Sequence, residues 1–283
     1  MKRTLGLFAA ALLATGITSY FLAMPFELKR FLEPHANLYV SRSIVTGQRD
    51  ETRIPGFGRA LVDAVRKVVG DPNISEGDVH AALSGIVADY VKGYTEHDRM
   101  ADIPIHDEQG TRDWPFDLMV EFHQEKIDAL LKKLGKTAWT GYRPHTLVLL
   151  AVNTDVMSYI LTSDQDKGID QRDSLASAAW QAGIPLVLPR DEMLKAVKLE
   201  PANLSSASQQ TLEKLKYDSD ADVVIMGSIT WKSGMAGWQA EWSFTNANNM
   251  QHWMVKDVNF DEAFRRAMWG EAQILSGHGE PGR

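Results

Sequence analysis

Cysteine is absent from all 283 residues, and with it go disulfides, thiolate metal sites, cysteine nucleophiles and the lipidated cysteine of a lipoprotein. A cationic excess is missing as well. The formal net charge is −7, and no Lys/Arg stripe provides a local footprint for a phosphate backbone, so nucleic acid is not an expected partner. The sequence contains no Gly-x-x-x-x-Gly-Lys loop, Gly-x-Ser-x-Gly elbow or His-Glu-x-x-His pair. No catalytic motif is therefore present, and no cofactor or bound metal is expected. Beyond the first 24 residues no stretch is apolar enough to cross a bilayer. The apolar and charged fractions, 44% and 24%, are those of an ordinary globular chain.

What is there begins at the amino end. Lys2 and Arg3 precede LGLFAAALLATGITSYFLAMP, an apolar run from Leu5 to Met24. A positive flank before such a run reads as an export signal with its amino end held in the cytoplasm. Its length exceeds a usual signal core and approaches the roughly 20 residues that span a bilayer. Ala14-Thr15-Gly16 has the small residues of a cleavage site, whereas Phe21 spoils the spacing before Ala23. Two outcomes follow: a cleaved signal peptide, or an inner-membrane anchor over residues 5–24. Either one sends the rest of the chain to the periplasm.

At roughly 150 residues per domain the length suits two domains. The division read from the sequence is 1–24 for the leader, 25–36 for a linker, 37–136 and 137–275 for two domains, and 276–283 for a flexible tail. In the first domain NLYVSRSIV reads as an edge strand and GFGRALVDAVRKVVG as a helix started by its glycines. Ser75 and Asp78 resemble a capping box for a further helix with Val79, Leu83 and Ile86 inward. FDLMVEF alternates as a strand wet on one face, DYVKGYTEH supplies its partner, and KIDALLKKLG makes a helix closed by Gly135.

Past Trp139 the pattern changes. TLVLLAVN, IPLVLP and DVVIMGSI are short, nearly continuous apolar runs separated by helix-compatible segments, the signature of parallel strands covered on both faces. A hairpin around Gly234 and Gly237, a strand in MQHWMVKDV and a helix from Phe260 to Leu275 complete the chain. The expected fold class is α/β: a small α/β N-terminal domain followed by a mixed-sheet α/β domain with parallel strands plus an antiparallel hairpin.

Two sets of residues are candidates for chemistry. Ligands gather beyond the carboxyl ends of parallel strands, where Asn153, Asp155, Arg190 and Asp191 fall; the trio of an arginine and two acids suits a polar ligand or a salt-bridged rim. The loop HDEQGTRDWP and its approach carry His97, Asp98, His106 and Asp107, residue types fit for a metal or acid–base site. A long connection between two strands lacks the fixed relative geometry that metal ligands need, which favours a wet structural loop. Five of the eight tryptophans lie between Trp231 and Trp269. Trp238 and Trp242 alternate on one face with Phe244, as a core pattern or an aromatic platform would require.

The stretches IVTGQRDETR, HDEQGTRDWPFDL, WTGYRPHTLVLLAV, AGIPLVLPRDE and ADVVIMGSITWKSGMAGWQAEWSF, in that order from Ile44 to Phe244, resemble an uncharacterised bacterial envelope family, the domain of unknown function with serial number twenty sixty-six. Arg143-Pro144 and the paired hairpin tryptophans carry most of that resemblance. Arg190 interrupts the acidic run that the family often has after Leu188-Pro189. The resemblance implies an envelope protein with a two-part α/β architecture and supplies no activity. The second half is also similar, at the level of fold, to the small α/β domains of envelope-assembly proteins such as the amino-terminal domain of TolB. The expectation is thus an exported, non-catalytic protein whose partner is an envelope protein or cell-wall component. Its rivals are a periplasmic hydrolase using the His/Asp loop and a binder of small solutes.

Overall fold

The computed structural model describes residues 38–101, 114–246 and 249–281. The apolar leader, the linker before residue 37, and His106 and Asp107 lie outside the described residues. Among those that are described, no helix is long and apolar enough to cross a membrane.

The first unit is a three-stranded antiparallel sheet in the order β1 (Val40–Thr46), β3 (Pro115–Phe122), β2 (Val91–Asp98). Alternation in β3 sends Leu118, Val120 and Phe122 into a core closed by α1 (Asp50–Val69) and α3 (Gln124–Lys133), whose Ile127, Leu130 and Leu131 are buried. Helix α1 begins at Asp50, ahead of the glycines at which the sequence suggested its start. Asp50 and Glu51 in the first turn complement the helix dipole, and Pro55, early in the helix, forfeits a single backbone bond. Gly56 is a packing glycine. A Cβ there would run into Val45 and stand 2.8 Å from Leu118 Cδ2. Ser75 caps α2 (Glu76–Ala82) by accepting from the amide of Asp78 at 3.0 Å. That helix ends at Ala82, so Ile86 is exposed instead of buried as its spacing suggested.

The second unit is a mixed sheet running β5 (Ser158–Ile160), β4 (Thr146–Asn153), β7 (Val223–Thr230), β8 (Trp238–Asn246), β9 (Asn249–Val258), with β6 (Leu186–Val187) beside the start of β4. β4 is parallel to β6 and β7, and β7–β8–β9 is an antiparallel meander. The α/β class expected from the sequence is the class observed. IPLVLP yields only the two residues of β6, and the three-residue β5 had no alternation to announce it.

Helices α4 (Ile169–Ala182) and α7 (Phe260–Ser276) cover one face of this sheet. The other face is covered by α5 (Asp191–Val197), α6 (Gln209–Asp218) and a short 3-10 turn, Pro201–Ser206. Trp238 and Trp242 resolve as core, whereas Trp231 is exposed. Gly227 is the register partner of Trp242, whose other cross-strand partner is Trp253. A Cβ on Gly227 would collide with the Trp242 indole, so the glycine is the recess that lets the ring lie flat on the sheet. Trp242 meets Phe264 of α7 edge-on at 6.3 Å.

A cluster of cations joins the units. The Arg143 guanidinium donates to Lys67 O at 2.7 Å and Val68 O at 3.4 Å in the last turn of α1, and to Ala182 O and Gly183 O at 3.2 and 3.1 Å at the end of α4. Those carbonyls are among the acceptors that a helix end leaves without an amide partner, and they carry the negative end of each dipole. The guanidinium also stacks on Trp139, 4.0 Å from the ring centroid. Burial lowers the pKa of Arg143 to about 10, which leaves it charged at neutral pH. Beside it, Lys67 is 1% exposed. Its Nζ donates to Val40 O at 2.8 Å and sits 3.6 Å from the Trp180 ring centroid. Gly183, at φ 69°, closes α4 where any Cβ would stand 2.5 Å from Arg143 Nη1.

Replacing Arg143 with alanine should lower stability to urea by at least about 3 kcal/mol, since hydrogen bonds from a charged donor contribute roughly 1.5–3 kcal/mol each and five carbonyls, Trp139 O included, lose theirs. Arg143→Lys should recover less than half of that loss, because one ammonium cannot span two helix ends. Equal stability of the lysine variant and the unaltered chain would contradict this account.

Candidate functional site

The residues at the strand ends are spent locally. The Asn153 side-chain carbonyl accepts from Ser158 Oγ at 2.6 Å. Asp155 accepts from the amide and the hydroxyl of Ser233 at 2.6 and 2.5 Å, and these bonds, the hydroxyl's first, hold its pKa below the usual carboxylate value. Asp191 pairs with Lys195 at 2.5 Å, which lowers its pKa, and its amide donates to Asp164. Arg190 turns to Glu192 at 3.0 Å. The structure therefore does not bring the arginine onto the two acids: each of the four residues has a partner outside the set, Ser158, Ser233, Glu192 or Lys195.

Of the His/Asp loop, two members are described. His97 is exposed on β2 opposite Asp117, and Asp98 accepts from the amide of Met100 at 2.8 Å, closing the turn that follows the strand. Among the described residues no group of three or more His, Asp and Glu side chains could hold a metal ion.

A concavity of about 430 Å³ on the second sheet, between the 3-10 turn and β8, takes in Asn153; two others lie along the seam between the units, which no single-sequence pattern indicates. One cleft, about 900 Å³, runs between the outer face of the first sheet and the amino-terminal halves of α4 and α7. Arg42 and Arg99 line its first wall; Asp170, Asp173 and Asp261 line the opposite one. Arg42 reaches across to Ser177 Oγ at 2.9 Å, and Ser174 donates to Asp261, tying α4 to α7. Behind the arginines is Asp117, 8% exposed, with Arg99 Nε at 3.7 Å, Arg42 Nε at 4.0 Å and its Oδ1 without a hydrogen-bond partner. The only signal of this wall in the sequence is that Arg42 and Asp117 fall on outward positions of alternating strands. Nothing in a single sequence sets those positions against α4.

The second concavity, about 520 Å³, adjoins the first at Gln181, Glu262 and Arg265. It is walled by Trp253, Trp269, Met254, Pro72 and Pro281 and rimmed by Arg66, Arg265 and Arg266 with Asp63 and Glu262. Burial raises the pKa of Asp63, against the pull of Arg66. Trp253 Nε1 is buried without a hydrogen-bond partner.

Comparison with known families bears on the first unit. Residues 33–140 match the model of a domain of unknown function, DUF8605. The chain therefore contains an uncharacterised domain that spans the first sheet and helices α1 to α3 and stops just after Trp139. The quoted stretches from Arg143 to Phe244 fall outside the matched span. No curated protein and no solved structure matches the chain.

One buried acid bears on pH. Glu271 of α7 is 0% exposed, accepts from Thr146 Oγ1 at 2.5 Å, and has no partner for its second oxygen. Burial raises its pKa from 4.5 to about 8, while the threonine bond pulls the other way. Between those two values the folded state keeps a proton that the unfolded chain has released. The contribution of this one group is accordingly full below about pH 4.5 and falls by about 1.4 kcal/mol per pH unit until about pH 8. Urea midpoints measured from pH 5 to 8 should decline in the unaltered chain and decline less in Glu271→Gln, with the glutamine variant the more stable at pH 8. Parallel slopes would contradict the assignment.

Proposed function

We propose that this chain is an exported, non-catalytic envelope protein that binds a protein or cell-wall partner along the seam between its two units, and that it belongs with the bacterial envelope family that its segments from Ile44 to Phe244 resemble. The observation that carries the reading is the cleft of about 900 Å³ with arginines on one wall and aspartates on the other. Such walls select a partner with both charges in a fixed order, and they steer its approach. The cation-led leader supports export. The partners that Asn153, Asp155, Arg190 and Asp191 each find nearby favour the seam over the strand ends as the binding surface.

A binder of small solutes is the second reading, favoured by the cleft's volume, which falls in the roughly 300–1,000 Å³ range of small-molecule sites. It predicts a melting shift with one member of a panel of sugars, amino acids and short peptides, because a saturating ligand adds a few kcal/mol.

The chain has no native cysteine, so Asp173→Cys places a single crosslinker on the cleft wall. In intact envelopes it should yield one reproducible adduct, weakened when Arg99 is replaced by glutamate. No adduct in envelopes, or a mature chain found in the cytosol turning over a substrate, would overturn the proposal.

A further inference from the structure

The tail of the chain folds back onto the second concavity. Helix α7 contains a glycine, Gly270, well inside its 17 residues, a position where glycine is a poor helix former. The surroundings explain it. A Cβ on Gly270 would stand 2.9 Å from Pro281 Cβ, 3.1 Å from Pro281 Cγ and 3.1 Å from Trp253 Cε2. The missing side chain is thus a slot, with the proline of the tail lying over it and the indole of β9 forming its floor.

Three further features give this slot the properties of a peptide site. Trp253 is 7% exposed, and its unpartnered Nε1 is bonded to the carbon that borders the slot. A buried donor without an acceptor is costly; the seated tail leaves the indole unpaired, and the carbonyl of a partner peptide would supply the acceptor that the tail does not. Trp269, Met254 and Pro72 extend the wall, and flat apolar surfaces beside an indole donor are how proline-bearing extended peptides are held. The rim carries three guanidiniums against two carboxylates; Arg66 pairs with Asp63, and Arg265 and Arg266 share Glu262, which leaves the rim one positive charge in excess. The tail itself presents Glu280 next to Pro281.

We infer that the groove around Gly270 and Trp253 is a docking site for an extended partner peptide bearing an acidic residue beside a proline, and that Glu280-Pro281 is an internal copy of that ligand which the partner displaces. The inference deepens the binding reading above and rests on it, since it assigns the partner's chemistry. It differs in using the second concavity, with the charged cleft as the neighbouring surface. Competition between the tail and a partner makes docking weaker in the resting chain than the groove alone would give, and strongest when the tail is released.

The test uses full-length protein and a fluorescein-labelled peptide, Ser-Gly-His-Gly-Glu-Pro, copied from residues 276–281, with anisotropy as the readout. Pro281→Gly, which vacates the slot, should bind the peptide at least tenfold more tightly than the unaltered chain. Adding Gly270→Ala to that variant puts a methyl group into the slot and should remove the gain, as should changing the proline of the peptide to alanine. In the unaltered chain, saturating peptide should speed amide exchange at Glu280. Equal affinity of Pro281→Gly and the unaltered chain, persistence of the gain with Gly270→Ala, or unchanged exchange under saturation would overturn the inference. A partner adduct at Asp173 that forms despite such a result would leave the binding reading standing and remove only this site. Absence of any adduct would remove the reading itself.

Discussion

Two helices of different units point their carboxyl ends at the same guanidinium. This convergence on Arg143 is the constraint from which the rest of the architecture follows. Each helix end leaves carbonyl oxygens without amide partners, and bringing two such ends together would concentrate partial negative charge. One buried cation with a planar fork of donors satisfies both sets at once, and Trp139 covers its face. Beside it Lys67 donates to Val40 O at the start of β1, with Trp180 covering its ammonium. The glycines that end the two helices are required by the same crowding. Gly70, at φ 79°, lies 2.9 Å from Trp139 for any added Cβ, and Gly183 lies against Arg143 itself.

Fixing those helix ends fixes the seam, and the seam makes the concave surface. With α4 held against α1, the outer face of the first sheet stands opposite α4 and α7, and Arg42 comes within reach of Ser177. The edge strand β9 then faces α1 across a space that the core does not fill, which is where Trp253, Trp269 and Pro281 gather. The aromatic cluster has two roles by position. Trp242 closes the sheet against α7 over Gly227, whereas Trp253, one strand further out, forms the floor of a groove.

Much of the fold was legible because its elements obey local rules. The alternation of FDLMVEF, the unbroken apolar run of TLVLLAVN, the cap at Ser75 and the glycine closing KIDALLKKLG each reflect a constraint that acts within a few residues. The start of α1 is not legible: the glycines of GFGRA suggest the helix start, whereas Gly56 lies inside the helix because Val45 and Leu118, from other strands, leave no room there for a Cβ. The helical spacing of Ile86 and the apolar run of IPLVLP likewise say nothing of where α2 and β6 end. The candidate residues were read one strand at a time, so the strand-end rule located Asn153, Asp155, Arg190 and Asp191 correctly on the sheet but could not foresee that Ser158, Ser233, Glu192 and Lys195 would pair with them. Arg42, Asp117, Trp253 and Pro281 were missed because their significance exists only across the seam. Arg143 was singled out within a resemblance; its physical role, two helix ends on one cation, required the structure.

The central claim is that the two units are held in one fixed arrangement by the Arg143 cluster. With no native cysteine to interfere, spin labels placed at the exposed positions Ile44 and Tyr217 report the distance between the units by electron paramagnetic resonance. The account predicts a single narrow distance distribution in the unaltered chain that broadens in Arg143→Ala under conditions where both units remain folded. A broad distribution in the unaltered chain, or an identical narrow one in the variant, would contradict it.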